Sequence, residues 1–376
     1  MRWSFKIARV AGIDIRVHIT FFLIVFLFAG QWAHHGLRGI IFGTVMVLLL
    51  FLCVTLHELG HSVVAQSFGV TVKQILLLPI GGVAMLTRMP STPAQELWVA
   101  LAGPAVNVVI AAGIFLGTGL TLVAGTIDFA YLVNALRQEP SVQMLIVWLF
   151  LANVALVVFN MIPAFPLDGG RVLRALLAMG MPRQRATAIA ATIGQTIAIL
   201  LFMLGLMTGP NWILVIIAAF IFLGAGAEAA EGQTRGVLAT RAVGDAYNEH
   251  AITLSPYDRL STVIRHILTS YQPDFAVVNG RDILGVVTRQ DVVEALSQHS
   301  GDVTVEQLMK PAALRVSAWE SLDEVRQKMS EQESRVAAVY AGDRYLGLVS
   351  AEDIAEAFAL LRFLEPEQSR EGGVVV

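Results

Sequence analysis

Six long apolar stretches alternate with short polar connections across the first 230 residues, at 18–32, 39–65, 95–124, 142–162, 186–208 and 211–230. About 20 apolar residues of helix span the hydrocarbon of a bilayer, so this pattern predicts six transmembrane helices. Gly209 and Pro210 separate the last two and predict a tight turn between antiparallel spans. Ahead of the first stretch, Ile13, Ile15, Val17 and Ile19 alternate with polar residues, and Ala11-Gly12 offers a turn. Residues 4–19 therefore read as a β-hairpin on the membrane surface, although an amphipathic juxtamembrane tail fits the same pattern. Residues 71–87 are apolar but broken by Pro79, Gly81 and Gly82, too interrupted for a spanning helix. They read as a β-hairpin or a re-entrant loop, with the re-entrant form favoured.

Beyond residue 235 the pattern becomes that of an ordinary soluble domain, and residues 242–361 repeat with an offset of 62. Gly285-Val286-Val287-Thr288-Arg289-Gln290-Asp291 aligns with Gly347-Leu348-Val349-Ser350-Ala351-Glu352-Asp353, and Leu254-Ser255 with Val316-Ser317. Each copy reads as strand, helix, two strands joined by a glycine turn, then helix, so two copies should pack on each other. The predicted organisation is a membrane domain over 1–232, a linker over 233–241, repeats at 242–298 and 303–361, and a flexible tail over 362–376.

Composition sharpens this division. The 376 residues are 56% hydrophobic and 15% charged, against about 25% charged in an average soluble domain. The net charge of −3 is uninformative, but no basic block suggests a nucleic-acid partner, and a single cysteine, Cys53, excludes an intramolecular disulfide. Arg2, Lys6 and Arg9 precede an apolar run that lacks a small-residue cleavage site, so the run reads as a retained membrane segment. Arg2, Lys6, Arg9 and Arg16 precede span one, Lys73 and Arg88 follow span two, Arg171, Arg174, Arg183 and Arg185 follow span four, and Arg235 and Arg241 follow span six. The opposite loops hold only Arg38 and Arg137. The positive-inside rule then places both termini in the cytoplasm of a multi-pass protein, expected in the plasma (inner) membrane of a bacterium.

The chemistry sits in the second stretch, at His57-Glu58-Leu59-Gly60-His61. Residues four apart share a helix face, so His57 and His61 can reach one metal ion. Ionisable groups inside a membrane are costly to keep and mark functional sites. Asp14, Asp128 and Asp168 are the only aspartates before residue 230, and Asp168 alone lies at the cytoplasmic end of a span. Prolines and glycines around it would let its carboxylate turn inward. Catalytic zinc takes three protein ligands and leaves a position for water, and His57, His61 and Asp168 make such a set. Zinc would acidify its water, and Glu58 would take the proton as hydroxide attacks a carbonyl, then pass it to the leaving amine. Asn160 is a candidate donor to the developing oxyanion or to substrate backbone, or a cap for a broken helix. Asp168 could likewise cap the helix that follows it. Asn107 reads as glue between helices or as polar lining of the site, and Cys53 as packing.

With these residues the chain resembles the site-2 protease family of intramembrane zinc metalloproteases. The resemblance rests on His57–His61, on Asn160-x-x-Pro163-x-x-Pro166-Leu167-Asp168-Gly169, and on the Gly81-Gly82 and Gly103-Pro104-x-x-Asn107 segments, and it covers residues 4 to about 230. It implies cleavage of a peptide bond in or near a membrane-embedded helix of another protein, such as an anti-sigma factor or a membrane-tethered transcription regulator. It also implies a small membrane-associated β-sheet, built from the N-terminal strands and the segment at 71–87, that holds unwound substrate. The expected fold class is a polytopic α-helical membrane protein plus a soluble α/β pair. The soluble repeats resemble a tandem CBS-domain pair, in which Thr288, Asp291, Ser350 and Asp353 occupy positions that contact an adenine nucleotide's phosphate and ribose. The same residues also serve as helix caps, and a structural module mediating homodimerisation is the alternative. A transporter gated by the pair would instead spread polar groups over several spans near the midplane.

Overall fold

The N-terminal alternation becomes strand β1 (Ser4–Val10) and strand β2 (Ile13–His18), paired antiparallel. Their turn carries positive φ at Ala11 (50°) and Gly12 (79°), the geometry that matches the twist of a two-residue hairpin. The computed structural model describes residues 3–79, 81–87, 90, 92–123, 140–207, 209, 211–270, 272–280, 282–298, 301–311, 314–332 and 334–364. Expectations that rest on Arg2, Arg88, Asp128, Arg137, Pro210 and the tail from 365 onward lie outside the described residues. The chain divides into two compact units, Met1–Gly232 and Gln233–Val376.

In the first unit, β3 (Val72–Leu78) and β4 (Gly81–Leu86) form a second hairpin. Of the two forms expected for this segment, it is the hairpin and not the re-entrant loop. β2 offers β3 a parallel edge, and the four strands join in the order β1-β2-β3-β4. Ile13, Ile15, Val17, Ile75 and Leu77 turn one apolar face onto Val47, Phe51 and Ala65 of helix α2 (Gly36–Ser67). Helix α1 (Phe21–Gln31) runs antiparallel to the first half of α2: Phe21 meets Phe51 at 4.7 Å and Trp32 meets Phe42 at 4.9 Å. Its 11 residues rise only about 16 Å, roughly half the hydrocarbon thickness. The first apolar stretch is thus shorter as a helix than expected, because the sheet lies beside the rest of α2. Helices α3 (Pro93–Val123), α4 (Val142–Asn160), α5 (Asp168–Ala178), α6 (Arg183–Met207) and α7 (Trp212–Ala239) follow. Among the described residues five helical segments are long and apolar enough to cross a membrane: 33–67, 93–119, 142–160, 183–207 and 212–239.

In the second unit, one sheet contains β5 (Thr253–Leu254), β6 (Asp274–Asn279), β7 (Asp282–Thr288) and β8 (Lys310–Pro311), with helices α8 (Leu260–Thr269), α9 (Arg289–Gln298) and α10 (Val305–Leu308). The other contains β9 (Leu314–Ser317), β10 (Val336–Ala341) and β11 (Arg344–Ser350), with α11 (Leu322–Glu331) and α12 (Ala351–Leu364). The repeat is visible in detail: the β6–β7 ladder is irregular at Val277/Val278 and the β10–β11 ladder at Val339/Tyr340. Each copy has its own apolar core, and Ala276, Ala338 and Leu348 pack the two sheets together.

Candidate metal centre

One helical turn of α2 separates His57 from His61, and their rings meet edge to face with centroids 4.6 Å apart. The two Nε2 atoms are 3.0 Å apart, and each lies 3.1 Å from Oδ2 of Asp168. All three residues are buried, and their donor atoms fall within 4.8 Å of one another. The other ring nitrogens are occupied. Nδ1 of His57 donates to Oδ1 of Asn107 at 2.6 Å, and Nδ1 of His61 donates to the Val99 carbonyl at 2.6 Å. Those oxygens only accept, so the proton sits on Nδ1 and the Nε2 lone pairs face Asp168. Two imidazole nitrogens and one carboxylate oxygen, oriented in this way, fit a zinc ion.

Helix α3 supplies both orienting groups. Asn107 also donates from Nδ2 to Oδ1 of Asn153 at 2.8 Å, and Asn153 in turn donates to the Leu149 carbonyl at 2.8 Å and to Sγ of Cys53 at 3.4 Å. Both asparagines are 0% exposed. Asn107 is therefore helix glue and part of the site's frame at once. Asn153 was not anticipated; its signal was an amide in the middle of the apolar run 142–160, away from Gln143 and Asn160 at the ends. Close approach of α3 depends on Gly103, where a Cβ would collide with Nε2 of His61 and of His57.

Asp168 enters from a compact turn in which the Ala164 amide bonds the Ile162 carbonyl at 2.7 Å and the Leu167 amide bonds the Ala164 carbonyl at 3.0 Å. The Phe165–Pro166 peptide is cis. Leu167 holds the N-cap position of α5, and Asp168 stands in the first turn with its carboxylate on the histidines. Glu58 is half-buried beside the cluster, and β4 passes against it: a Cβ on Gly82 would lie 2.6 Å from Cγ of Glu58. Asn160 donates to the Leu156 carbonyl of its own helix at 3.0 Å. Among the described residues no hydrogen bond joins it to His57, His61 or Asp168.

The four nucleotide candidates of the second unit separate into unlike pairs. Ser350 and Asp353 line a cavity of about 410 Å³, together with Asn248, His250, Gln272 and Asp274. Asp353 accepts from the Ser350 amide at 2.7 Å and its own amide donates to Oγ of Ser350 at 3.0 Å. Burial pushes the Asp274 carboxyl above its ordinary value. Asp291 is instead enclosed: Oδ2 accepts from the amide and hydroxyl of Thr288 at 2.9 and 2.6 Å, and Oδ1 pairs with Nζ of Lys310 at 2.6 Å. Burial drives the Asp291 carboxyl upward, but Lys310 and Thr288 outweigh it and hold the group below the usual carboxylate value.

The peptidase family M50 model matches residues 45–204, and the CBS domain model matches 243–298 and 305–360. The chain is 32% identical to zinc metalloprotease MJ0392 of Methanocaldococcus jannaschii, over 97% of this chain and 99% of that one. It is 28% identical to Rip3 of Mycobacterium tuberculosis, over 98% and 96% of the two chains. A solved site-2 protease from Methanocaldococcus jannaschii is 36% identical and covers 60% of this chain and 95% of its own, with a TM-score of 0.43.

Proposed function

The chain belongs to peptidase family M50 and is a zinc metalloprotease with a CBS-domain pair; from that premise we propose that it hydrolyses a peptide bond in or near a transmembrane segment of a membrane-bound protein. The carrying observation is the convergence of His57, His61 and Asp168 within 4.8 Å, inside a unit built of membrane-length helices. Those three residues would hold the zinc, which when bound would supply Lewis acidity toward water and toward the scissile carbonyl. Asn107 and the Val99 carbonyl fix the tautomers that leave both Nε2 atoms free to ligate. Glu58 takes the proton of the attacking water and returns it to the leaving amine. Gly82 brings the backbone of β4 against Glu58, and β4 is an edge strand of its sheet. An unwound substrate segment adding to that edge would run past the general base as an extended strand.

The distribution of arginines supports six crossings, α1 completing the first together with the sheet, and a site that opens toward the cytoplasm. Substrates of the kind represented by anti-sigma factors or tethered transcription regulators fit regulated proteolysis at this position. The CBS pair adjusts access or activity, with an adenine nucleotide in the cavity at Ser350 and Asp353 as its ligand and homodimerisation as a further role. Asn160 gives one Nδ2 proton to the Leu156 carbonyl, and oxyanion support would come from the second.

Glu58→Gln tests the reading. Cleavage of a membrane-anchored substrate in reconstituted vesicles should fall by at least about a thousandfold while bound zinc and membrane insertion persist, because the base is lost and the ligands are not. Substantial cleavage by that variant would overturn the mechanism.

A further inference from the structure

Four charged side chains outside the metal centre are gathered from four helices: Glu96 of α3, Arg174 of α5, Arg183 of α6 and Glu228 of α7. Nε of Arg174 donates to Oε1 of Glu96 at 2.7 Å, and its Nη2 reaches the same oxygen at 2.6 Å. Its Nη1 bonds Oε1 of Glu228. Arg183 bonds Oε2 of Glu96 at 2.6 Å and the Pro90 carbonyl at 3.2 Å. Glu96 and Arg174 are each 4% exposed. The Arg174 guanidinium also lies 4.9 Å over the ring of Phe165, three residues before Asp168. Phe165 is itself buried among Ala190, Ala191 and Ala225.

Buried ion clusters are weak adhesive, because desolvation consumes most of what the charges gain from each other. A guanidinium fork nevertheless fixes direction and distance far better than apolar side chains, which let helices slide. The two helices it ties together are those that complete the metal site. Glu96 precedes Val99 by one turn of α3, and Val99 orients His61 while Asn107, further along, orients His57. Arg174 lies on α5, the helix that begins with Asp168. Metal–ligand distances tolerate errors of only about 0.2 Å, so the axial setting of α5 against α3 decides whether Asp168 reaches the ion.

We propose that Arg174 is a positioning residue for Asp168, clamped by Glu96 and Glu228, so that this ion cluster sets the third metal ligand against the two histidines. The proposal rests on the zinc reading given above. Its test uses the full-length protein in detergent, with zinc affinity measured by competition against a chromophoric chelator and ligand geometry by the visible spectrum of bound Co2+. Arg174→Met should weaken zinc by about tenfold or more and alter the cobalt spectrum. Arg174→Lys keeps the charge without the fork and should weaken it by a smaller factor; it carries the decision if the methionine variant does not fold. Wild-type affinity and spectrum in the folded variants, even with a lower unfolding temperature, would overturn the proposal and leave the cluster as structural glue. Asp168→Ala is the reference: if it binds zinc as tightly as wild type, the metal reading fails and the clamp loses its object.

Discussion

His57 is hydrogen-bonded to Asn107, 50 residues on, and its Nε2 lies 3.1 Å from Asp168, 111 residues on, while Arg174 reaches back 78 residues to Glu96. In the second unit Asp291 and Asp353 each bond a hydroxyl residue three positions away. In both regions these particular polar groups are satisfied, but for different reasons. A helix N-terminus needs a nearby acceptor in any case, so a local pair there costs little and says little about a ligand. Inside apolar helices a polar side chain can donate to the carbonyl one turn back, as Asn153 and Asn160 do, but its remaining donors and acceptors must meet others across the fold. Long-range pairing of that kind marks a site or the frame around one, whereas local pairing marks a place where a site is allowed.

Two variants probe the contrast from its two sides. Asn107→Leu removes the longer-range orienting bond of His57 and leaves the ligands themselves in place. Zinc affinity should fall by about 10- to 100-fold, the usual range for a group that fixes a ligating histidine, as read by chelator competition. An unchanged affinity would reduce the bond to helix packing and break the comparison. On the soluble side, an adenine nucleotide at ten times its Kd should raise the stability of the second unit by about 1.4 kcal/mol. Thermal-shift titration should find that effect abolished by Asp353→Ala and retained by Asp291→Ala, since only Asp353 lines the cavity. Loss through Asp291 instead would place the ligand at the enclosed copy.

What could be read from the chain follows the same division. The grouping of His57, His61 and Asp168 was legible because the three carry their spacing in a helix period and a proline-glycine break, both local signals. Asn153 and the cluster around Arg174 were not, since nothing periodic says which charges on different helices will meet. Arg174 illustrates the cost: counted with the loop arginines that orient the protein, it is in fact buried in α5. Only the resemblance put the segment at 71–87 in a sheet; its residues alone left a hairpin and a re-entrant loop both open, because the hairpin is held by a partner edge 60 residues earlier in sequence, at β2. The repeat offset of 62 was plain, yet the unequal fates of Asp291 and Asp353 were missed. One position of that repeat separates the two copies here, Lys310 against Asn248. Lys310 pairs with Val286 of β7 and salts Asp291, whereas Asn248 bonds Leu348 of β11 and lines the open cavity.

That substitution yields the smallest effect. The folded value of Asp291 is depressed below an unfolded value of about 3.9, so its pairing contributes stability at pH above about 4 and loses it as pH falls through the folded value. Lys310→Met removes the ammonium that does most to depress it. The ammonium end is largely exposed, which limits the pair to under about 1 kcal/mol. Hydrogen exchange of the α9 amides in the full-length protein should therefore quicken by no more than about fivefold at pH 7, and the difference from wild type should shrink as pH falls and the carboxyl takes up its proton. The same variant frees Oδ1 of Asp291. If the first copy then takes up a nucleotide, one lysine is what separates the enclosed copy from the open one; if it does not, the cavity beside Asn248 and Asp353 has requirements beyond an available carboxylate.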